Sequence, residues 1–333
     1  MQTKAPAGVA HARGPRLMTV APLDSYPRSS SDFSNWFRSE DDCLTYLARL
    51  RWPTVFTCPS CGWAGEAWHT GRGLYVCGSC SRQTSITSGT IFAGTKTPLR
   101  AWLQCAWVLA TSADGSSAVK LQELTGVPNY RTLWAMLQRY RRAMFQPSRC
   151  RLTGRLDLSF LLIEAIEGSP LSSETKSSDN LVLYLSEVGN DSSIGRVRMA
   201  AVADGDLGNV PRLVSAFAQP SALITVGSAA GYADTPATWM HAITSGRTHR
   251  PSIPARSLAY EIDSWLRTTH GGAIHSAHLN YYLGELLYRH NRRTTPETTS
   301  IFCSLLRHAL RTKPIPYKDL VAAPSNPLVL RAT

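Results

Sequence analysis

Four cysteines constrain the fold of this chain more than any other feature. Cys58 and Cys61 stand in "CPSC", and Cys77 and Cys80 stand in "CGSC", so the spacing is C-x2-C-x15-C-x2-C. Two such turns can point four thiolates at one centre, and Zn²⁺ accepts four sulfur ligands in a tetrahedron. Two disulfides are the alternative interpretation. The first 18 residues lack the apolar core of an export signal, so we expect a reducing compartment, which favours zinc.

The predicted zinc is structural, because a closed set of four cysteines leaves no open coordination position for a substrate. His69 lies in the loop between the two cysteine pairs and is predicted to be a surface histidine and not a ligand. The other four cysteines have no metal-binding spacing and are predicted to be core or surface thiols. They are Cys43, Cys105, Cys150 and Cys303.

The charge of the chain favours a nucleic-acid partner. Its 333 residues include 35 Lys or Arg and 23 Asp or Glu, a net charge of +12. Residues 1–150 hold 17 of these basic and 8 of these acidic residues, so most of the excess lies in the N-terminal half. We therefore expect double-stranded DNA to bind there. No run of 18 apolar residues exists, so we expect no membrane contact and a cytoplasmic protein, associated with the nucleoid if it is bacterial.

Two helices after the ribbon are a candidate helix-turn-helix. The stretch "SSAVKLQELTGVPNYRTLWAMLQRYRRAM" predicts a short helix that ends at Gly126 and a second, basic helix that Asn129 caps. The start of the second helix would meet base edges and its basic end would meet phosphates. A plain helical hairpin with a solvated basic face is the alternative. The side chains predicted to contact DNA are Asn129, Tyr130, Arg131, Gln138, Arg139, Arg141 and Arg142.

The pattern changes at Leu152, where "LTGRLDLSFLL" predicts a strand with one buried face. Asp157 and Ser159 are two residues apart and so share a face of that strand. A polar, Ser-rich segment (169–180) predicts a loop, two apolar strands follow as a hairpin, and a helix and a short strand come next. This succession predicts a mixed α/β core, of which the RNase H-like fold is one example.

Several stretches carry a family resemblance in the same order along the chain. They are "RWPTVFTCPSCG", "YVCGSCSRQTSITSGTIFAGTKTPLRAW", "LTGVPNYRTLWAML", "IGRVRM", "WLRTTHGGAIHSAHLNYYLGELLYRHNRR" and "IFCSLL". The chain resembles the bacterial insertion-sequence transposases that begin with a zinc ribbon (ISXO-like, related to eukaryotic Merlin elements), from about residue 37 to about residue 310. The resemblance implies a zinc ribbon, a helix-turn-helix and an RNase H-like domain with DDE-type acids.

The expected architecture is therefore α/β, with an N-terminal zinc ribbon and helix-turn-helix ahead of an RNase H-like mixed sheet with C-terminal helices. The expected divisions are a disordered tail (1–34), a helix plus zinc ribbon (35–95), the helix-turn-helix region (96–150), the RNase H-like domain (151–312) and a C-terminal tail (313–333).

The same resemblance implies a degenerate catalytic site. The family's first catalytic aspartate falls on Ser159, beside Asp157, and its second falls on Val226. Its third polar ligand falls near Arg256, and the basic residue that follows falls near Asp263. Strand transfer on this fold uses two divalent ions held by carboxylates, and a hydroxyl, an isopropyl group and a guanidinium cannot replace those ligands.

We accordingly predict a transposase-derived, zinc-containing DNA-binding protein without catalysis, with a regulatory, structural or recruiting role. One alternative is an active DDE-type transposase that uses Mg²⁺ and other acids, namely Asp157, Glu164, Asp204 and Glu261. A protein–protein adaptor without a DNA role is a third hypothesis, and a homo-oligomer or a protein partner is left open.

Overall fold

A computed structural model of the chain describes most of the residues after the N-terminal segment. The described residues are 25–112, 115–145, 151–167, 176–202, 208, 210–226, 253–270, 274–293 and 298–322. The expected α/β class is confirmed, because a mixed sheet with helices follows an N-terminal part built from helices and short hairpins.

The helices and strands are numbered here in chain order. The helices are α1 (Ser30–Trp36), α2 (Glu40–Arg51), α3 (Leu99–Thr111), α4 (Ala118–Thr125), α5 (Tyr130–Met144), α6 (Val210–Phe217), α7 (Ile253–His270), α8 (Leu279–His290), α9 (Thr298–Arg311) and α10 (Tyr317–Val321). The strands are β1 (Phe56–Thr57), β2 (Ala64–Gly65), β3 (Trp68–His69), β4 (Tyr75–Val76), β5 (Gln83–Thr84), β6 (Arg155–Glu167), β7 (Lys176–Val188), β8 (Ile194–Ala201) and β9 (Leu223–Val226).

Side chains on α2 cap two helices. The Ser39 hydroxyl accepts a hydrogen bond from the Asp42 N–H at 3.1 Å, and the Asp42 carboxylate accepts one from the Ser39 N–H at 3.0 Å, which together form a capping box. Pro98 precedes α3 and has no capping side chain. The Glu40 carboxylate instead accepts from the N–H groups of Leu99 and Arg100, so α2 satisfies free donors at the start of α3.

An N-terminal helical body forms the largest apolar core. Helices α2, α3, α4 and α5 each contribute an apolar face, and α9 packs against α2, α3 and α5. Phe302, Leu305 and Leu306 of α9 are fully buried in this core. Helix α9 lies within the predicted domain 151–312, but its apolar face completes the core of the N-terminal helices.

The larger sheet has the strand order β8-β7-β6-β9. Strand β7 pairs with β6 and with β8 in antiparallel fashion, and β9 pairs with β6 in parallel fashion. Helix α6 lies in the crossover before β9, as a parallel connection requires. The predicted hairpin is present, but β7 begins at Lys176, so part of the segment 169–180 that we expected to be a loop is strand.

Helices cover both faces of this sheet. Leu156 and Leu158 of β6 pack with Leu183 and Leu185 of β7 against α6. The opposite face carries Val182, Tyr184 and Met199, among others, and packs against α7 and α8. Because successive side chains of a strand point to opposite faces, the odd-numbered residues of β6 belong to the second face.

Both predicted tails contain ordered structure. Helix α1 begins at Ser30, before the expected boundary at residue 34, and Phe33 packs against Phe37, Trp107 and Phe302. At the other end, α10 buries Leu320, so the C-terminal tail does not begin at residue 313. Residues 1–24 and 323–333 lie outside the described residues. None of the described helices combines the length and the apolar composition needed to cross a bilayer.

Candidate metal centre and nucleic-acid interface

The two cysteine pairs form two turns with the same backbone geometry. In the first turn the Gly62 N–H donates to the Cys58 carbonyl at 3.0 Å, and in the second the Ser81 N–H donates to the Cys77 carbonyl at 3.0 Å. Gly62 and Ser81 occupy the same place, one residue after the second cysteine, and both are left-handed, with φ of +73° and +57°. The repeated geometry aims the two cysteine pairs at one point.

The four sulfur atoms fit a tetrahedral zinc site. They all lie within 4.8 Å of one another, with 3.8 Å between the Sγ atoms of Cys58 and Cys80 and 3.6 Å between those of Cys61 and Cys77. A tetrahedron with Zn–S bonds of about 2.3 Å has S···S separations of about 3.8 Å. All four cysteines are free thiols, so the two-disulfide alternative is wrong for this structure. Among the described residues, no other group of three His, Cys, Asp or Glu side chains lies close enough to share an ion.

Backbone N–H groups point at the first cysteine of each turn. The N–H groups of Ser79 and Cys80 point at the Cys77 sulfur at 3.4 and 3.5 Å. The Cys61 N–H, helped by the Ser60 N–H, lowers the pKa of the Cys58 thiol to about 6. A thiolate at Cys58 is the form of the side chain that binds Zn²⁺.

Trp63 packs across both cysteine turns. A Cβ placed on Gly65 would lie 2.5 Å from its indole ring, and a Cβ placed on Gly78 would lie 2.8 Å from it. Both glycines are therefore needed for close packing of the ring, since an indole cannot move aside as a flexible chain end can. His69 is exposed in β3 and lies outside the sulfur cluster, as predicted for a surface histidine.

The first turn of helix α5 is its most exposed part. Asn129, Tyr130 and Arg131 are exposed, and Asn129 caps the helix by accepting from the Arg131 N–H at 2.9 Å. The turn before it contains Gly126 in the left-handed region, as the sequence suggested. These three side chains are therefore free to meet a partner.

The prediction that the rest of this helix exposes its polar residues is wrong for Gln138 and Arg141. Gln138 is 0% exposed and Arg141 is 1% exposed, because α5 is surrounded by α3, α4, α8, α9 and α10. Arg139 and Arg142 are half-buried and donate to the backbone carbonyls of residues 315 and 313, respectively. Gln138 and Arg141 are therefore withdrawn from solvent, whereas Arg139 and Arg142 are partly exposed.

Arg141 has a charged partner far along the chain. Its Nε donates to the Glu285 carboxylate of α8 at 2.7 Å, and its guanidinium lies 4.3 Å from the centre of the Tyr282 ring. Gln138 donates to the Tyr282 hydroxyl at 3.3 Å. The available signal was a lone acid inside the apolar run "NYYLGELLYRH", since a buried acid needs a partner.

The first sheet strand places Asp157 and Ser159 side by side, as predicted. Both are buried, at 4% and 0% exposed, and the Ser159 hydroxyl donates to Asp157 Oδ1 at 2.7 Å. Tyr184 is the cross-strand neighbour of Ser159, and burial raises the pKa of its hydroxyl to about 12. The Asp157 carboxylate is thus committed to a buried polar cluster.

Val226 lies on the other face of the sheet. It is the register partner of Leu158 and packs in the core with Leu156 and Phe217. In a parallel pair, register partners point to the same side, so Val226 points away from Asp157 and Ser159. A carboxylate at position 226 would therefore point to the face opposite Ser159.

The remaining positions implied by the resemblance lie on α7. Arg256 is exposed, and Asp263 pairs with Arg267 at 2.9 Å one helical turn away. Of the acids in the alternative set, Glu261 lies 3.6 Å from His290 Nδ1. The side chain of Glu164 and all of Asp204 lie outside the described residues.

Comparison with known proteins identifies the N-terminal part of the chain. Residues 38–83 match the family model described as the transposase zinc-ribbon domain. This match contains all four cysteines and confirms the resemblance to zinc-ribbon insertion-sequence transposases over that segment. Comparisons with curated proteins and with solved structures found no match.

Proposed function

We propose that this protein is a transposase-derived, zinc-containing DNA-binding protein that does not catalyse strand transfer. The observation that carries the proposal is a transposase zinc ribbon whose four sulfur atoms lie at zinc-binding separations. A pair of helices follows the ribbon, and the second helix exposes Asn129, Tyr130 and Arg131. In this proposal the protein acts in the cytoplasm on double-stranded DNA as a regulatory, structural or recruiting factor.

The geometry of α4 and α5 supports a helix-turn-helix role. A turn of four residues, from Gly126 to Asn129, joins the two helices. Recognition helices of this class contact base edges mainly with their N-terminal residues, and the first turn of α5 is its most exposed part. The basic N-terminal half adds a favourable field for the phosphates.

The strand order supports an RNase H-like core. Three antiparallel strands, then a helix and a fourth strand parallel to the first, make up the start of that fold, and β6 to β9 follow this arrangement. In the proposal this core is retained as a scaffold.

The surroundings of Asp157 support the loss of catalysis. Ser159 stands where the resemblance implies the first catalytic aspartate, and its hydroxyl occupies one oxygen of the neighbouring carboxylate. Two-metal chemistry needs carboxylates that bridge ions about 4 Å apart. A single carboxylate that is already hydrogen-bonded within the core is a poor substitute.

The experiment that tests DNA binding is a fluorescence anisotropy titration of labelled duplexes with the full, zinc-loaded chain at several salt concentrations. We expect affinity to fall steeply as salt rises, because bound phosphates release counterions. The adaptor hypothesis predicts no duplex binding at any salt concentration. Elemental analysis of the same preparation is expected to find one zinc per chain, and its absence would remove the metal from the proposal.

A further inference from the structure

A cavity of about 380 Å³ opens beside the first three turns of α5. One wall is the segment 91–97, the opposite wall is α5, and Tyr317 of α10 contributes to the edge. Arg131 and Arg139 line it from the helix, and Lys96 lines it from the segment. The volume falls in the range of small-ligand sites.

The charge of this cavity is positive. Its lining includes Lys96, Arg131 and Arg139 but no carboxylate, and within the described part of the chain none of the three forms an ion pair. Arg139 donates to the Ile315 carbonyl at 3.4 Å, and burial lowers the pKa of its guanidinium. A half-buried cation with only a neutral partner carries a desolvation cost that a bound anion would offset.

The wall formed by the segment 91–97 is held in place by its own hydrogen bonds. The Thr95 hydroxyl accepts from the Trp102 Nε1–H at 2.9 Å and from the Thr97 N–H at 3.0 Å. Gly94 has a φ of +67°, which lets the segment turn back toward the helix. Trp102 itself is buried in the helical core. The cavity is therefore preformed, and binding there costs little ordering.

We propose that this cavity binds a phosphate group. Arg and Lys are the side chains that recognise phosphate oxygens, Arg through its planar fork and Lys as a point charge. The hydroxyls of Thr97 and Thr132, which also line the cavity, are suited to the remaining oxygens.

The phosphate can belong to the DNA backbone or to a small phosphorylated molecule. The first source deepens the proposed DNA-binding function and rests on it, since Arg131 lies both in the cavity and in the exposed first turn of α5. A backbone phosphate held by Lys96 and Arg139 would fix the register of that turn on the duplex, as phosphate contacts do in such interfaces.

The first arm of the test measures duplex affinity against salt for Lys96→Ala and Arg131→Ala in the full chain. Both side chains are exposed, so both variants are expected to fold. Each loss of a phosphate contact should weaken binding by about 3- to 10-fold and reduce the salt slope by about 0.9. The control is Arg212→Ala, an exposed cation on α6, which covers the sheet face opposite α7 and α8.

The second arm measures pyrophosphate binding to the same proteins by isothermal titration calorimetry. Loss of duplex affinity in Lys96→Ala, with Arg212→Ala unchanged, supports the backbone as the source. Pyrophosphate binding that requires Lys96, with duplex affinity unchanged, supports a small phosphorylated molecule. If the wild type binds pyrophosphate through Lys96 but no duplex, the proposed function fails and the phosphate site stands. If Lys96→Ala changes neither affinity, the proposal is overturned, even where Arg131→Ala weakens DNA binding.

Discussion

Single residues in this protein take their roles from distant partners. Arg141 belongs by sequence to a basic helix, but its side chain is fully enclosed and paired with Glu285, 144 positions along the chain. The second carboxylate oxygen of Glu285 has no hydrogen-bond partner, so the pair stays together against a considerable desolvation cost. Each charge of the pair offsets the desolvation cost of the other, so neither can be removed alone without a loss of stability.

Breaking this pair from one side should destabilise the protein more than removing both charges. Arg141→Met leaves Glu285 buried and unpaired and should lower the free energy of unfolding by about 3–5 kcal/mol. Adding Glu285→Met should recover most of that loss. Urea unfolding of the wild type, both single variants and the double variant measures the coupling, and additive losses would contradict an interacting pair.

His278 should make stability depend on pH. Burial, helped by the positive charges of His275 and Arg141, lowers the pKa of its imidazole from 6.5 to about 4. The unfolded chain binds the proton more readily than the folded chain does. His278 therefore does not reduce the free energy of unfolding above pH 6.5, but it lowers that free energy between pH 6.5 and pH 4, by up to about 1.4 kcal/mol per pH unit. His278→Phe keeps a ring against Trp134, 5.1 Å away, and removes the titration.

Unfolding free energies of wild type and His278→Phe, measured across that pH range, test this expectation. The difference between the two proteins should change as the pH falls, because their other titrating groups are shared. Parallel profiles would mean that His278 has the same pKa in the folded and unfolded chains and would contradict the lowered pKa.

At the scale of elements, the two cysteine turns are local structures that a few residues determine. Gly62 and Ser81 both adopt a left-handed backbone, which costs little for glycine and about 1 kcal/mol or more for other residues. Nothing lies within 4 Å of a Cβ on Gly62, so backbone strain alone decides substitution there.

Ser81→Gly should therefore stabilise the ribbon, and Gly62→Ala should destabilise it. A change of about 1 kcal/mol corresponds to about fivefold in zinc affinity, because metal binding and ribbon folding are coupled. Competition with a chromophoric chelator measures the affinity. Ser79→Gly, in the same turn but outside the left-handed region, is the matched control and should not tighten zinc binding.

The first turn of α5 should set sequence preference. Tyr130 is 49% exposed, so Tyr130→Ala should preserve the fold while changing discrimination at one base position by about 1–3 kcal/mol. Arg142→Ala is the control, because its guanidinium donates to the Lys313 carbonyl and does not face solvent freely. Affinities for a panel of duplexes with single base changes provide the measurement. Equal profiles for Tyr130→Ala and wild type would exclude this turn from base recognition.

Features that depend on residues close together in the sequence could be predicted, whereas features that depend on distant residues could not. The capping box of Ser39 and Asp42 and the cysteine turns involve residues a few positions apart, so their spacing was sufficient. The burial of Gln138 depends on helices far along the chain, which no local pattern reports. The face of Val226 depends on the register between β6 and β9, and a shift of one residue would reverse it.

At the scale of the whole molecule, two of the described C-terminal helices pack into the N-terminal part of the chain. Helix α9 returns from the C-terminal region to complete the helical core, and α8 contacts both β8 and α5. Helix α8 is accordingly apolar and buried on nearly every side. The sheet therefore contacts α5 through α8, so in the proposed function the inactive core would support the helix that binds DNA.

The most direct test of the central claim is one incubation of zinc-loaded protein with end-labelled duplexes from the flanks of its gene, in Mg²⁺ and in Mn²⁺, resolved on native and denaturing gels. If the protein binds DNA without strand transfer, we expect a shifted complex on the native gel and intact strands on the denaturing gel. Ser159→Asp combined with Val226→Asp should also leave the strands intact, because the two positions lie on opposite faces of the sheet. Metal-dependent nicking by the wild type that disappears in Asp157→Ala would show that the protein is catalytically active and would contradict the proposed loss of catalysis.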